Sequence, residues 1–110
     1  MTLTTSSMNC SRNDVVHLPI PFTDLTSRKV PPAIIVGRKG TDLFLVPVSS
    51  VLFNTDFTLK EWQGAGLNAP SGVKAQLATV EDRLVLKITG AVTAVDRQTL
   101  DERLRTWLQL

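Results

Sequence analysis

The sequence predicts an α+β domain, a small twisted and partly closed β-barrel of five to six short strands with a C-terminal α-helix packed on it. The composition agrees with a single soluble domain, because 43% of the 110 residues are apolar and 20% are charged. Short apolar or alternating segments, separated by turns that contain proline or glycine, occupy residues 14–90. The apolar residues near the C-terminus follow the period of an amphipathic helix instead.

The first predicted strand runs from Asp14 to Ile20 and is rich in β-branched and apolar residues, which favour extended backbone. It ends at Pro21, because proline lacks the N–H group that a strand ladder requires. The polar segment that follows closes with Pro31 and Pro32, which hold the chain extended. We therefore expect a long loop between the first two strands.

Two further strands, residues 33–36 and 42–50, form a predicted hairpin around the turn sequence RKGTD. Gly40 suits this turn because glycine adopts a positive φ without strain. Pro47 lies inside the second of these strands. The sequence therefore predicts an edge, a bulge or a break in the hydrogen-bond ladder at Pro47.

Alternating apolar and polar residues predict two more strands, residues 57–62 and 72–77, each with one buried and one exposed face. The glycine-rich sequence QGAGLNAPSG separates them. Residues 84–88 form the last predicted strand, which is expected to end at Gly90.

A helix is predicted over residues 94–109, because leucine and tryptophan recur at helical spacing while charged residues occupy the other faces. The apolar stripe consists of Leu100, Leu104, Trp107 and Leu108. Thr93 is a suitable N-cap residue, and Asp96 in the first turn interacts favourably with the helix dipole. We expect the stripe to pack on the sheet.

The single cysteine and the single histidine exclude two classes of site. Cys10 has no partner for an intrachain disulfide, and a zinc cluster needs three or four protein ligands, most often nitrogen or sulfur. We therefore expect neither a bound metal nor a cofactor. His17 is either a general base or a half-exposed strand residue, and the sequence leaves both roles open.

Residues 1–11 form a predicted flexible arm that precedes a single domain of residues 12–110. The arm lacks the charged and apolar regions of a secretion signal. No segment contains the roughly 18 to 20 consecutive apolar residues that a membrane-spanning helix needs. A cytoplasmic protein without a membrane partner is the resulting expectation.

The formal charge of +2 is unevenly distributed along the chain. Residues 56–110 contain seven basic and seven acidic residues, so the surplus lies in the first half. Four basic residues of that half fall in a stretch without acidic residues, namely Arg28, Lys29, Arg38 and Lys39. This stretch either creates a local positive field that attracts an anionic partner or forms a pair of solvated loops.

Four segments, taken in order, resemble the MazF/PemK-type toxins. The sequence RNDVVHLPIPFTDLTSRKVPPAIIVG is similar to the opening of that family, in which an Arg-Gly-Asp strand leads through a Pro-Phe-Thr-Asp loop to an Arg-Pro-Ala strand. FLVPVSS resembles its third strand, AGLNAPSGVKAQLATVEDRL its Gly-Leu-x-x-Pro-Ser-x-Val-Lys segment, and GAVTAVDRQTLDERLRTWL the start of its final helix. The order and spacing of these motifs, from Arg12 to Leu110, carry the resemblance.

The resemblance implies an SH3-like barrel that forms a homodimer and is the toxin of a type II toxin–antitoxin system. Such a toxin is an endoribonuclease, or mRNA interferase, which cuts single-stranded RNA, is neutralised by a small cognate antitoxin and binds DNA together with it. Cleavage in the family needs no metal, because the neighbouring ribose 2′-OH is the nucleophile and leaves a cyclic phosphate. The protein orients that hydroxyl and stabilises the charge on phosphorus.

The resemblance also assigns catalytic residues. Ser49 takes the place of the family's strand-end threonine, and Ser50 takes the small polar position beside it. Pro31 replaces the family arginine that precedes Pro-Ala, and proline has neither the charge nor the donors for a phosphate contact. Arg28, on the same loop, is the candidate that supplies the missing guanidinium.

The predicted RNA-binding residues are Phe22, Thr23, Arg28, Lys29, Arg38, Lys39 and Ser50. Phe22 is the candidate for stacking on a base, since single-stranded RNA sites combine basic and aromatic residues. The other aromatic residues are few, so we expect most of them in the core. Because of Pro31, two functions stay open: an active ribonuclease, or a catalytically impaired relative that binds antitoxin or RNA without cutting.

Overall fold

Seven antiparallel strands and one α-helix form the part of the chain that the computed structural model describes, residues 9–19 and 30–110. The strands are β1 (Asp14–His17), β2 (Pro32–Lys39), β3 (Asp42–Ser49), β4 (Phe57–Thr58), β5 (Gly72–Val73), β6 (Ala78–Glu81) and β7 (Lys87–Ala91). The helix α1 spans Ala94–Leu108, and two short 3₁₀ helices span Leu52–Asn54 and Asp82–Leu84. The predicted α+β class is confirmed.

Most of the predicted arm and of the predicted loop after β1 lie outside the described residues. No helix within residues 9–19 and 30–110 is long and apolar enough to cross a membrane.

The strands form one sheet in the order β4-β5-β3-β2-β1-β7, with β6 also paired to β3. On one side β3 keeps β2 as its partner, while on the other side its first half pairs with β6 and its last two residues pair with β5. Pro47 lies between these two partners, and its carbonyl accepts a hydrogen bond from the backbone N–H of Lys74 at 3.0 Å. The predicted break in the ladder at Pro47 is therefore confirmed, since proline has no N–H group to continue the ladder.

The predicted hairpin of β2 and β3 is confirmed and is longer than expected. It turns at Gly40, whose φ of +61° is the left-handed conformation that the sequence predicted there. The register shifts between Ile35 and Gly37, so one strand carries an extra residue at this point. Such a bulge increases the local twist of the pair, which helps the sheet to curl.

Apolar side chains pack on both faces of the sheet, because successive strand residues point to opposite sides. Helix α1 covers one face, where the cluster includes Val15, Ile34, Val46, Leu100 and Leu104. A second cluster covers the other face and includes Val16, Ile35, Leu43, Leu45, Val80 and Val85. Burial of a leucine stabilises the fold by about 1.5 to 3 kcal/mol. The predicted packing of the helix stripe is confirmed for Leu100, Leu104 and Trp107, whereas Leu108 is 47% exposed.

The sheet curls until the segment after β4 touches β7. A Cβ atom added at Gly66 would lie 2.3 Å from the carbonyl oxygen of Thr89, and one added at Gly90 would lie 2.4 Å from the carbonyl oxygen of Ala65. Gly66 also has a φ of +85°. Both positions therefore require glycine, because backbone meets backbone there without room for a side chain. This contact brings the β4 end of the sheet towards the β7 edge, as a partly closed barrel requires.

Asp96 fixes the start of α1 to the rest of the domain. Thr93 occupies the predicted N-cap position, but its hydroxyl donates to the Glu61 carboxylate and makes no cap hydrogen bond. The Asp96 carboxylate, 2% exposed, accepts hydrogen bonds from the backbone N–H groups of Lys60 and Glu61, both at 2.8 Å. Asp96 thus ties α1 to the segment after β4, a tertiary role that its position in the first turn does not reveal.

Several predicted strands differ from those observed. The first was expected to run to Ile20, but β1 ends at His17, before Pro19. The strands expected at residues 57–62 and 72–77 shrink to two residues each, and the strand β6 was not predicted. The last strand lies three residues later than expected and continues through Gly90. Its glycine serves the close approach to Ala65 rather than a strand end, which explains the error.

Candidate functional site

A cleft of about 600 Å³ opens where β1, β2 and β3 present one of their ends to the glycine-containing segment of residues 66–74 and to β7. Its polar lining residues are His17, Ser49, Ser50, Asn68, Ser71, Lys74, Lys87 and Thr89. Its apolar wall includes Val30, Pro31, Pro32, Pro47 and Leu67. An apolar cleft with a few convergent polar groups is the usual form of a ligand site.

Ser49 is the last residue of β3 and lies half-buried in this cleft, next to the exposed Ser50. Its Oγ accepts a hydrogen bond from the backbone N–H of Val51 at 3.0 Å, which fixes the rotation of the side chain. Because that N–H occupies one lone pair of Oγ, the hydroxyl proton is the group that Ser49 offers to an anion. The two serines predicted from the strand end therefore share one site.

Two lysines that the sequence analysis did not single out also line the cleft. The backbone hydrogen bond from Lys74 to Pro47 holds this residue beside the end of β3. Lys87 begins β7 and lies opposite His17 of β1. No carboxylate of the described residues lines the cleft, so the two lysines give its lining a positive charge, which suits an anion.

Sequence signals for the two lysines differ. Lys74 stands in the sequence APSGVK, one of the segments that carry the family resemblance. Lys87 has no comparable signal, because only the register of β1 with β7 brings it to the cleft.

The structure gives His17 a place at the cleft as well as on a strand. It is the last residue of β1, lies opposite Pro32 of β2, and is half-buried. Its ring Nδ1 lies 3.3 Å from the carbonyl oxygen of Val30. A carbonyl only accepts, so Nδ1 is the protonated nitrogen and Nε2 is left as the acceptor of the ring.

Arg38 and Lys39 lie at the opposite end of β2 from the cleft. Since a strand rises about 3.3 Å per residue, roughly 23 Å of backbone separates Lys39 from Pro32. The Arg38 guanidinium bonds to the Asp82 carboxylate and donates to the carbonyl oxygens of Gly40 at 3.0 Å and Cys10 at 3.2 Å. The structure does not bring these two basic residues to the cleft, and their contact with RNA stays a prediction.

Four other predicted site residues, Phe22, Thr23, Arg28 and Lys29, lie outside the described residues. Their roles in stacking, binding and catalysis therefore stay predictions. Pro31 is described and lines the cleft, at the position where the resemblance expects an arginine.

Among the aromatic residues that the structure describes, the expectation that most belong to the core is confirmed. Phe57 is buried, and the two tryptophans pack against the first apolar cluster. Phe53, however, is 87% exposed on the 3₁₀ helix that follows the cleft residue Val51. An exposed aromatic ring near the cleft is a second candidate, beside Phe22, for stacking on a base.

The sheet with its terminal helix and strand-end cleft has the fold of the MazF toxins. One similar solved structure is an endoribonuclease in complex with its cognate antitoxin from a mycobacterial species, with a TM-score of 0.67 and 22% identity over 94% of this chain and 97% of that chain. Another is the Mycobacterium tuberculosis toxin MazF-mt6, with a TM-score of 0.67 and 17% identity over 88% of this chain and 97% of that chain.

No protein-family profile and no curated protein sequence matches the chain. At the identities of the two solved structures, the likeness establishes the fold alone.

Proposed function

We propose that the chain is the toxin of a type II toxin–antitoxin system and cleaves single-stranded RNA as an endoribonuclease without a metal ion. The observation that carries the proposal is the position of Ser49 in a cationic cleft, in a fold shared with two solved toxins of this kind. The descriptions of those two proteins, an endoribonuclease bound to its antitoxin and a MazF toxin, support the same reaction here.

The chemistry of the cleft suits a phosphodiester. The ribose 2′-OH attacks the adjacent phosphorus, so the protein has no nucleophile to supply and needs only to orient the chain and stabilise negative charge. The Ser49 hydroxyl donates to a phosphate oxygen, while Lys74 and Lys87 offset the charge that grows on the phosphorane. Ser50 and Arg28, with the predicted contacts of Phe22, Thr23 and Lys29, position the RNA.

Partners of this toxin are a second copy of the chain, a small cognate antitoxin and single-stranded RNA, all in the cytoplasm. A second groove, of about 580 Å³, supports the protein partners. It lies between the end of α1 and the strands β2, β3 and β6, and its exposed apolar residues include Phe44, Leu77, Leu108 and Leu110. Contiguous apolar surface of this kind is typical of protein interfaces. DNA binding together with the antitoxin belongs to the same proposal.

The alternative is a protein that binds antitoxin or RNA without cutting. Pro31 favours it, because no guanidinium of the described residues lines the cleft. A lysine carries charge but lacks the planar pair of donors with which arginine contacts a phosphate.

Cleavage of single-stranded RNA in the presence of EDTA distinguishes the two functions. We expect the wild-type protein to release fragments with cyclic phosphate ends and Ser49→Ala to be slower by about 10²- to 10³-fold, the effect of losing one donor to a developing anion. Ser49→Thr retains the hydroxyl and is expected to cut. Ser11→Ala, an exposed serine outside the cleft, is the matched control and is expected to match the wild type.

Two further variants decide the role of the arginine. Arg28→Ala is expected to lower the rate if the Arg28 guanidinium replaces the family arginine. Pro31→Arg restores that arginine directly. If only Pro31→Arg cuts while the wild type binds RNA and leaves it intact, the alternative function is correct.

A further inference from the structure

The position that lacks the family arginine is flanked by the imidazole of His17. On one side of Pro31, the carbonyl oxygen of Val30 lies 3.3 Å from His17 Nδ1. On the other side, Pro32 pairs with His17 across the β1–β2 ladder. His17 and Pro31 both line the cleft that contains Ser49. The cleft therefore contains a group that can take up a proton beside the site of the missing guanidinium.

The hydrogen bond to Val30 prepares the ring for proton transfer. A carbonyl oxygen has no proton to give, so Nδ1 carries hydrogen and Nε2 keeps its lone pair. A neutral ring with one protonated and one accepting nitrogen is the arrangement that a general base needs. His17 is also the only histidine of the chain, and no carboxylate of the described residues lines the cleft to serve instead.

The topology brings the strands that carry His17 and Ser49 to the same cleft. β1, β2 and β3 are neighbours in the sheet, so two strand spacings of about 4.8 Å separate the backbone of β1 from that of β3. His17 and Ser49 both line the cleft at this end of the strands. Lys87, opposite His17 on the other neighbouring strand, adds positive charge on the same side.

We propose that His17 is the general base of the cleft, a catalytic residue that takes the proton of the attacking 2′-OH; the proposal rests on the ribonuclease function proposed above. The 2′-oxygen bonds to phosphorus while its proton passes to Nε2. The bond between phosphorus and O5′ breaks, its electron pair stays on O5′, and O5′ takes a proton from water. The imidazolium then returns its proton to the hydroxide that remains, which leaves a 2′,3′-cyclic phosphate and a 5′-hydroxyl.

Two variants separate this role from a purely structural one. His17→Gln retains an N–H donor for the Val30 carbonyl but has no nitrogen that accepts a proton at neutral pH. His17→Ala removes the ring and leaves space for free imidazole. We expect His17→Gln to cut RNA about 10²- to 10⁴-fold more slowly, the usual contribution of a general base, and to bind 2′-O-methyl RNA as the wild type does. Added imidazole is expected to restore part of the activity of His17→Ala.

The pH dependence of the rate is a second readout. A protonated imidazole cannot accept the proton of the 2′-OH, so the wild-type rate is expected to fall at acid pH. The charged groups of the described residues that share the cleft are Lys74, on the segment after β5, and Lys87, on β7. They remain in His17→Gln, so the loss of the acid limb in this variant is attributable to the imidazole.

The third measurement does not depend on cleavage. Because the chain has one histidine, its imidazole signals in an NMR spectrum are unambiguous. We expect 2′-O-methyl RNA, which lacks the nucleophile and is not cut, to shift those signals. Unchanged signals with bound RNA would overturn the proposal.

The outcomes keep the two proposals apart. If the wild type cuts RNA and His17→Gln cuts at the same rate, the role of His17 is wrong and the ribonuclease function stands. If His17→Gln is slow and also loses RNA binding or thermal stability, and imidazole does not rescue His17→Ala, the residue is structural and the proposal is overturned as well. If the wild type cuts no RNA, the two proposals fall together.

Discussion

Positively charged side chains lie near both ends of β2, but their hydrogen-bond partners differ. At the hairpin end, the Arg38 guanidinium is held by the Asp82 carboxylate and by two backbone carbonyl groups. At the cleft end, Pro32 lies beside His17, and the lysines of the cleft meet no carboxylate among the described residues. Charge is thus satisfied inside the fold at one end and left available for a ligand at the other.

The difference shows why positive charge in a sequence does not by itself locate a binding site. Arg38 and Lys39 belong to the same stretch without acidic residues as Arg28 and Lys29. The structure pairs Arg38 with Asp82, 44 residues further along the chain. An arginine that is already bonded to a partly buried carboxylate stabilises the fold, whereas a lysine in a concave surface without such a partner is free to bind an anion.

The largest loss of stability is expected on substitution of Asp96, whose buried carboxylate accepts two backbone hydrogen bonds. Asp96→Ala removes the acceptor of two backbone N–H groups and loosens α1 from the segment after β4. Hydrogen bonds to charged groups contribute about 1.5 to 3 kcal/mol each, so we expect the loss of both to lower the free energy of unfolding by about 3 to 6 kcal/mol. Urea denaturation of the wild type and the variant measures it.

Asp101→Ala is the matched control for this prediction. Asp101 lies on the same helix but is 43% exposed and pairs with the exposed Arg12. A surface ion pair of this kind contributes about 1 kcal/mol or less. If the two variants lose the same free energy of unfolding, the buried Asp96 carboxylate contributes no more than an exposed one, and the prediction is wrong.

The fold was predictable where local sequence decides structure. Pro47 indicated an edge, a bulge or a break in the ladder, and the structure has a break there. Gly40 indicated a left-handed turn and the spacing of Leu100 and Leu104 a packed helix, and both are confirmed. β6 was missed because it exists through its pairing with β3, more than thirty residues earlier (Asp42 pairs with Glu81), and no periodicity within the strand reveals that pairing.

The site was predictable to a smaller extent. The family resemblance placed Ser49 and Ser50 at a strand end, and the structure puts both in one cleft. His17 and Lys87 join them only because β1 lies between β2 and β7. The register between distant strands is a tertiary property that local sequence does not reveal. The full set of cleft side chains therefore cannot be predicted from the sequence.

The second prediction concerns the available charges of the cleft. The double variant Lys74→Ala/Lys87→Ala is expected to bind 2′-O-methyl RNA about 10-fold or more weakly, and to lower the slope of log affinity against log salt by about 0.7 for each lost phosphate contact. Its free energy of unfolding is expected to stay within about 0.5 kcal/mol of the wild type, as for surface substitutions in general. Fluorescence anisotropy at several salt concentrations measures the affinity and the slope.

Lys60→Ala is the control for the lysines, because Lys60 is exposed, lies outside the cleft and uses only its backbone N–H to bond Asp96. It is expected to leave the salt slope unchanged. If it weakens binding as much as the double variant does, the RNA is held by the general charge of the surface and the cleft is not the site.

The smallest effect on stability is expected from Cys10, a buried residue at the hairpin end. Its backbone carbonyl accepts a hydrogen bond from Arg38. Burial, and with it the carboxylates of Asp14 and Asp82, raises the pKa of this thiol above its ordinary value of 9.0, while Arg38 acts in the opposite direction. The thiolate is the reactive form, so iodoacetamide is expected to label native Cys10 slowly and the urea-unfolded chain rapidly.

The same pKa shift makes stability depend on pH with a defined sign. Between the unfolded and the folded pKa the native state of Cys10 retains a proton that the unfolded state has lost, so the free energy of unfolding falls as pH rises. The contribution is complete below about pH 9, the unfolded pKa, and is lost above it as the pH passes the folded pKa. Cys10→Ala lacks this titration, so its stability is expected to fall less than that of the wild type from pH 8 to pH 10. Rapid labelling of the native protein, or identical pH profiles for the two proteins, would show that the hairpin end is more open than its satisfied hydrogen bonds indicate.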